Sequence, residues 1–267
     1  MFTIIIAALC GCGVAAAFNL TGTANWGWSF CWGVITMFVL QMASGFFIRK
    51  QVMKAQVEIQ KMMAETQAKL ARRIEMFQRR PGGNVKLMQQ EMQEEQYSAI
   101  RKSLYKLNEL NRYVWWSPML EKQLNTSRMV MYYQLKEFDK ADNMMKSAIM
   151  VTGQAIAMKM ARMYKRNDPG LDKFFAKKSK RLKGDDAVLI YSLYAWIKLK
   201  QDDPKSALDA LNRSLKKSDN KLLLENRDRI ANGKLKQFSN ALLGDAWYAL
   251  YLEEPKVHQQ RMERRFQ

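Results

Sequence analysis

Ten basic side chains fall within one short stretch, Gln154 to Lys183: Lys159, Arg162, Lys165, Arg166, Lys173, Lys177, Lys178, Lys180, Arg181 and Lys183. Only Asp168 and Asp172 oppose them, which leaves a net +8. Fixed cations at this density pair with carboxylates or phosphates, so an acidic protein segment, a lipid headgroup, or ribosomal or other nucleic acid suits them. No RNA-binding motif accompanies the charge. A second set, Arg49, Lys50 and Lys54, directly follows a 48-residue segment that holds no Asp, Glu, Lys, Arg or His. Beside an anionic leaflet each such cation contributes about 1 kcal/mol, fading within a Debye length. A solvated helix face is the plainer reading of either set.

Catalytic chemistry has less to work with. One histidine (His258) and three cysteines (Cys10, Cys12, Cys31), the latter all inside the uncharged segment, exclude a His-built metal centre and a disulfide scaffold. No Ser-His-Asp set, Cys-His pair, HExxH, phosphate loop or glycosidase-like carboxylate pair can be assembled. The acidic doublets Asp202-Asp203 and Glu253-Glu254 each precede Pro-Lys, where a carboxylate caps a helix start and proline suits its first turn; Asp185-Asp186 after Gly184 reads the same way. Gly11-Cys12-Gly13-Val14-Ala15-Ala16 fits a dinucleotide-binding turn, but the first acidic residue is Glu58, far beyond the ribose-binding position. Asn19-Leu20-Thr21 is a glycosylation triplet pressed against a bilayer, and Leu9-Cys10-Gly11-Cys12 lacks the basic leader of a lipoprotein site. The expectation is a non-enzyme with no cofactor and no metal.

The elements that would position the cations begin with two apolar runs, Phe2 to Leu20 and Trp26 to Ile48. As helices they cover roughly 28 Å and 34 Å, against a hydrocarbon core of roughly 30 Å. Trp26, Trp28 and Trp32 gather at one end of the second run, as interfacial indoles do, and the basic set follows the other, which should be cytoplasmic. Reading the first run as a cleaved signal peptide, with Ala15-Ala16-Ala17 as its site, leaves residues 49 to 267 on the same side. Ala7, Gly11 and Ala15 form a small-residue face on the first span, and Ser29 and Gly33 offer one on the second. The expected location is a bacterial inner membrane.

From Arg49 to Arg80 there is no Gly or Pro, and Val52, Ala55, Ile59, Met62, Thr66, Leu70, Ile74 and Phe77 make one apolar stripe on a helix continuous with the second span. This stalk carries a net +6; Arg72, Arg73, Arg79 and Arg80 stand too far out for headgroups. Pro81-Gly82-Gly83 breaks it. A second amphipathic helix follows, with Met88, Met92, Ile100, Leu104, Leu107 and Val114, ending near Trp115-Trp116-Ser117-Pro118. The two stripes could pair as an antiparallel hairpin; being Met-rich rather than clean heptads, they favour that over an oligomer through the stalk.

Beyond residue 119 a period emerges. Tyr132, Leu135-Lys136-Glu137-Phe138-Asp139-Lys140-Ala141, Met145 and Ala148 resemble the second half of a tetratricopeptide repeat. Tyr191, Tyr194 and Ala195, then Ala207, Leu211 and Ser214, resemble a fuller copy, and Ala141 and Ala207 stand 66 residues apart, close to two family periods. Between them Gln154 to Arg166, a turn at Asn167-Asp168-Pro169-Gly170, and Leu171 to Leu182 have the shape of a copy, although Arg162, Phe174 and Arg181 replace its small packing residues. Ala195-Trp196 echoes at Ala246-Trp247, 51 residues on, with Leu222 to Ala231 as an extra helix.

The resemblance implies an α-solenoid whose concave face takes a peptide or helix of another protein. The family's groove-facing spacing then falls on Tyr133, Lys159, Arg166, Trp196, Leu199 and Lys200, a basic and aromatic groove suited to an acidic segment or a C-terminal carboxylate. Tyr133 and Trp196 could instead be inter-repeat core. Lys177, Lys178, Lys180, Arg181 and Lys183, with Arg49, Lys50 and Lys54, are the candidates for lipid headgroups or nucleic acid. The expected architecture is all-α: a transmembrane hairpin over 1–48, a basic helical stalk over 49–118 with its break at 81–83, and a tetratricopeptide-like α-solenoid over 119–267. The expected function is a membrane-anchored scaffold that binds a protein partner; the alternative is a basic tether for ribosomes, nucleic acid or anionic lipid.

Overall fold

The computed structural model describes residues 2–22, 25–79, 85–117, 119–216 and 219–254, which are helix and turn with no strand among them. Arg80, the break at Pro81-Gly82-Gly83, Pro255-Lys256 and His258 lie outside the described residues. The chain divides into two compact units, Met1–Ile149 and Met150–Gln267. That division falls within the segment expected to be one repeat domain from residue 119, so the first repeat-like pair groups with the N-terminal helices.

In the first unit, α1 (Phe2–Leu20) and α2 (Trp26–Arg79) are both long and apolar enough to cross a membrane, and the second span runs on without interruption into the basic stretch. Where α1 and α2 meet, Ala7 and Ser29 are buried, and a Cβ added to Gly33 would stand 2.7 Å from the Gly11 carbonyl oxygen and 3.0 Å from the Ala15 Cβ. Small residues thus permit backbone contact, which in lipid replaces the hydrophobic drive available in water. The Cys10, Cys12 and Cys31 thiols are free and point outward.

Helix α3 (Val85–Glu109) returns along α2. Arg73 lies 3.7 Å from Glu91 and 3.5 Å from Glu95, and Lys106 lies 2.9 Å from Glu58, so the residue number falls along one helix as it rises along the other. That register is antiparallel, and the apolar stripes meet inside it. Ala55 and Ile59 of α2 pack with Leu107, then with Leu110 of a 3-10 turn (Leu110–Trp116) and with Leu120 and Leu124 of α4 (Leu120–Gln134). Short α5 (Phe138–Met145) completes the unit against α4.

The second unit contains α6 (Gly153–Lys165), α7 (Leu171–Ser179), α8 (Gly184–Lys200), α9 (Pro204–Leu215) and α10 (Lys221–Ala231). Helix α8 is its centre: every residue from Ala187 to Lys198 is buried. Val188 and Ala195 pack with Ala207 and Leu211 of α9 and with Leu223 and Ile230 of α10. The start of α6 touches the start of α8, where a Cβ on Gly153 would come within 2.7 Å of the Asp186 Cα. The expected extra helix over Leu222 to Ala231 is α10, and Ala246-Trp247, the echo of Ala195-Trp196, lies in the four-residue α11 (Asp245–Tyr248), which follows Gly244 at φ +55°.

One turn recurs. Lys136, Asn167, Asp202 and Gly233 each stand two residues past a helix end with positive φ, and the next N–H returns to the carbonyl five residues earlier: Glu137 to Tyr132, Asp168 to Met163 and Asp203 to Lys198 at 2.9 Å, Lys234 to Arg229 at 2.8 Å. This closure satisfies carbonyls that a helix end leaves open and reverses the chain toward the next helix.

Candidate functional site

The expected groove divides into residues that remain at the surface and residues that do not. Tyr133 is 1 % exposed, its ring edge-on to Phe138 at 5.2 Å, in the unit that does not contain the other five. It is core, because the following turn folds Phe138 back over it. Trp196 is 7 % exposed, with Tyr164 and Trp247 both edge-on to its ring, at 5.5 and 5.7 Å. Its indole N–H donates to Glu253 Oε1 at 2.7 Å, and the Trp247 indole N–H donates to Glu253 Oε2 at 2.9 Å. The chain's own segment 245–253 therefore occupies the place expected for a partner at Trp196, and Glu253 clamps two indoles; the helix start that its doublet is expected to cap, at Pro255-Lys256, lies outside the described residues. Asp203 does cap: its carboxylate accepts the Ser206 N–H at 3.1 Å, and hydrogen bonding from the Ser206 side chain and then from this N–H draws its pKa below the ordinary carboxylate value. Asp185 and Asp186 stand in the first turn of α8, whose cap is Lys183 without a side-chain bond.

Lys159, Arg166, Leu199 and Lys200 lie at or near the surface. Lys159 is half-buried with its ammonium 5.1 Å from the Phe174 ring, Arg166 and Lys200 are exposed, and the Lys200 ammonium lies 5.4 Å over Trp196. Leu199 is half-buried against the α8–α9 core. Cation–ring contacts of this kind are attractive by about 0.5–1 kcal/mol at exposed sites.

In the basic run, Lys177, Lys180, Arg181 and Lys183 are exposed. Lys178 is not equivalent to them: its ammonium donates to the Met150 carbonyl at 2.9 Å and bridges the start of the unit to α7. Its pKa is lowered by burial first, then by the cations Lys177, Arg181 and Lys159. These four basic groups thus share one field, a concentration of positive potential that an anion would relieve.

A polar network that sequence reasoning missed lies beside it. The Asp172 carboxylate accepts from the Tyr194 hydroxyl and from the Lys198 ammonium, both at 2.9 Å. Burial and this bond to Asp172 raise the Tyr194 pKa, so the phenol is held protonated as a donor. Lys198, only 9 % exposed, is neutralised by the same carboxylate, as a buried cation requires. The legible signal is an acid, one of two in the basic run, with Tyr194 and Lys198 four apart on the facing helix.

In the first unit Arg49, Lys50 and Lys54 are exposed and alternate with Phe46, Met53 and Val57, which are 72, 55 and 58 % exposed. With Glu58 these residues border a hollow of about 690 Å³ along one face of α2. Among the described residues no three His, Cys, Asp or Glu side chains gather as a metal site would need. No family model, curated protein or solved structure matches the chain.

Proposed function

We propose that this chain is a membrane-anchored helical scaffold. In this reading α1 and the first half of α2 form a hairpin across the bilayer, the rest of α2 with α3 is a basic stalk, and the helix pairs form a tetratricopeptide-like solenoid on the cytoplasmic side. The observation that carries it is the recurring turn. Lys136, Asn167 and Asp202 close three successive helix pairs in the same way, 31 and 35 residues apart, and the close contact of Gly153 with Asp186 joins positions 33 apart. Repeated pairs of that length supply an extended surface for another protein, and the positive-inside rule puts Arg49, Lys50 and Lys54 on the cytoplasmic face.

The partner is an acidic segment of another protein, held by Lys159, Arg166 and Lys200, with Leu199 as apolar contact. Burial of Tyr133 and Trp196 removes them from that surface. The test is binding of a labelled Asp/Glu-rich peptide ending in a free carboxylate to the full chain in micelles. The triple variant Lys159→Glu, Arg166→Glu, Lys200→Glu should lose at least about tenfold in affinity, since charge-assisted bonds are worth roughly 1.5–3 kcal/mol each. Equal affinity in the variant would refute the assignment.

The shared field of Lys159, Lys177, Lys178 and Arg181 favours a second reading, a tether for nucleic acid. It predicts RNA binding that weakens steeply with salt and is lost with Lys177→Glu and Arg181→Glu. Salt-insensitive or absent RNA binding would leave the peptide reading alone.

A further inference from the structure

At the end of the α1–α2 hairpin opposite its loop, the first unit forms an open-sided cavity of about 470 Å³ lined by polar and apolar side chains alike, within the range of roughly 300–1,000 Å³ typical of small-molecule sites. Helix α2 contributes Gln41, Ser44, Arg49 and Gln56, the 3-10 turn contributes Trp116, and α4 contributes Gln123. The Thr3 hydroxyl donates to the Trp116 carbonyl at 2.8 Å and ties the start of α1 to that turn, which fixes the cavity's far wall.

Three features define what would fill it. Gln41 and Ser44 lie inside the apolar span, where polar side chains are costly unless they meet a polar group. The Gln41 Oε1 is buried with no hydrogen-bond partner, whereas the Ser44 hydroxyl donates to the Gln41 backbone carbonyl at 3.0 Å. Among the described residues, Arg49 is the one cation that lines the cavity and no carboxylate does. Arg49 and Met53 also border the neighbouring apolar hollow with Phe46, Lys50 and Lys54, whose one acid, Glu58, is paired with Lys106 at 2.9 Å. A single ligand that is anionic and hydroxylated at one end and apolar at the other satisfies both places.

We infer that this cavity binds the headgroup of an anionic glycerophospholipid from the adjoining leaflet. Arg49, with Lys50 and Lys54 at the rim, takes the phosphate, the Gln41 oxygen accepts a headgroup hydroxyl, and Gln56 and Gln123 supply further amides. The acyl chains run from Phe46 back along the span into the bilayer. This inference rests on the reading that α1 and α2 span the bilayer, and it converts a diffuse basic attraction into one stoichiometric site.

The test uses the full chain, first checked for membrane insertion by alkaline carbonate extraction, then titrated in micelles with phosphatidylglycerol, phosphatidylcholine or soluble glycerol 3-phosphate and read by native mass spectrometry. The inference expects one tightly held phosphatidylglycerol, at least about tenfold preferred over phosphatidylcholine, and no comparable retention of glycerol 3-phosphate. Gln123→Leu is the discriminating variant, because it removes an uncharged group that the sequence places far from the basic run. It should cost about tenfold in phosphatidylglycerol affinity, as should Arg49→Gln, while Lys61→Gln, outside both hollows, should bind as the parent does. An inserted chain with no headgroup preference, with equal retention of glycerol 3-phosphate, or with an unaffected Gln123→Leu variant overturns the site and leaves the anchor standing. Release by carbonate overturns both.

Discussion

Replacing Gly153 with alanine should loosen the second unit, although alanine is the better helix former. The added Cβ would stand 2.5 Å from Asp186 Oδ1 and 2.7 Å from both the Asp186 Cα and Cβ. Carbon contacts settle near about 3.5–4.0 Å, so the two helix starts must part by about 1 Å. Because the Asp186 Cα is backbone, no rotamer change relieves the clash. Overpacking of this kind costs about 1–3 kcal/mol. The gain from replacing glycine, up to about 1 kcal/mol in a helix interior, is smaller at the first residue of α6, so a net loss of about 1–2 kcal/mol is expected. Hydrogen exchange of the full chain in micelles reads this locally: protection of the α8 amides should fall by about five- to thirtyfold. Asp186→Gly, which removes two of the three clashing atoms, should restore part of it in the double variant. Protection that is unchanged or increased would refute the close packing of α6 on α8, and with it the contact between positions 33 apart.

Other expectations concern separate parts of the chain. Gly33→Val should disrupt the α1–α2 hairpin, because its Cβ alone would meet the Gly11 carbonyl at 2.7 Å; cross-linking between Ala15→Cys and Ser29→Cys should fall in that variant. Glu253→Ala leaves two indole N–H groups without their acceptor, Trp247 being fully buried, and should cost about 1–3 kcal/mol by urea unfolding, whereas Glu253→Asp should restore part of it. Because the folded-state pKa of Tyr194 is raised, its contribution to stability is present below the ordinary tyrosine value near 10 and is lost as pH rises above it; Tyr194→Phe should show a smaller stability loss between about pH 9 and 11 than the parent.

Much of the architecture was legible because it rests on short-range chemistry. The uncharged first 48 residues, the small-residue faces and the glycine- and proline-free run after Arg49 each specify a helix or a close approach, and α1 and α2 follow. Asn167 and Asp202 are residues that tolerate positive φ, so two of the repeated turns had a local signature. Lys136 has none. The site was harder. Repeat spacing puts Trp196 in a groove, with inter-repeat core as the alternative; α8 from Ala187 to Ile197 is apolar on nearly all sides, the pattern of a central buried helix, and that decides for the core. Its partner Glu253 is 57 residues away, and no periodicity predicts a carboxylate arriving from such a distance. The echo at Ala246-Trp247 is one of sequence more than of helix length: Ala195-Trp196 lies late in the long α8, whereas a positive-φ glycine at 244 leaves Ala246-Trp247 in a four-residue helix.

Membrane topology tests the anchored-scaffold reading most directly. In a background free of Cys10, Cys12 and Cys31, Asn25→Cys and Lys200→Cys are labelled separately with a membrane-impermeant maleimide on sealed cells, before and after permeabilisation. The hairpin predicts that Asn25→Cys reacts from outside, whereas Lys200→Cys reacts only once the membrane is opened. Reaction of Lys200→Cys from outside, or recovery of either variant in the soluble fraction, would contradict it.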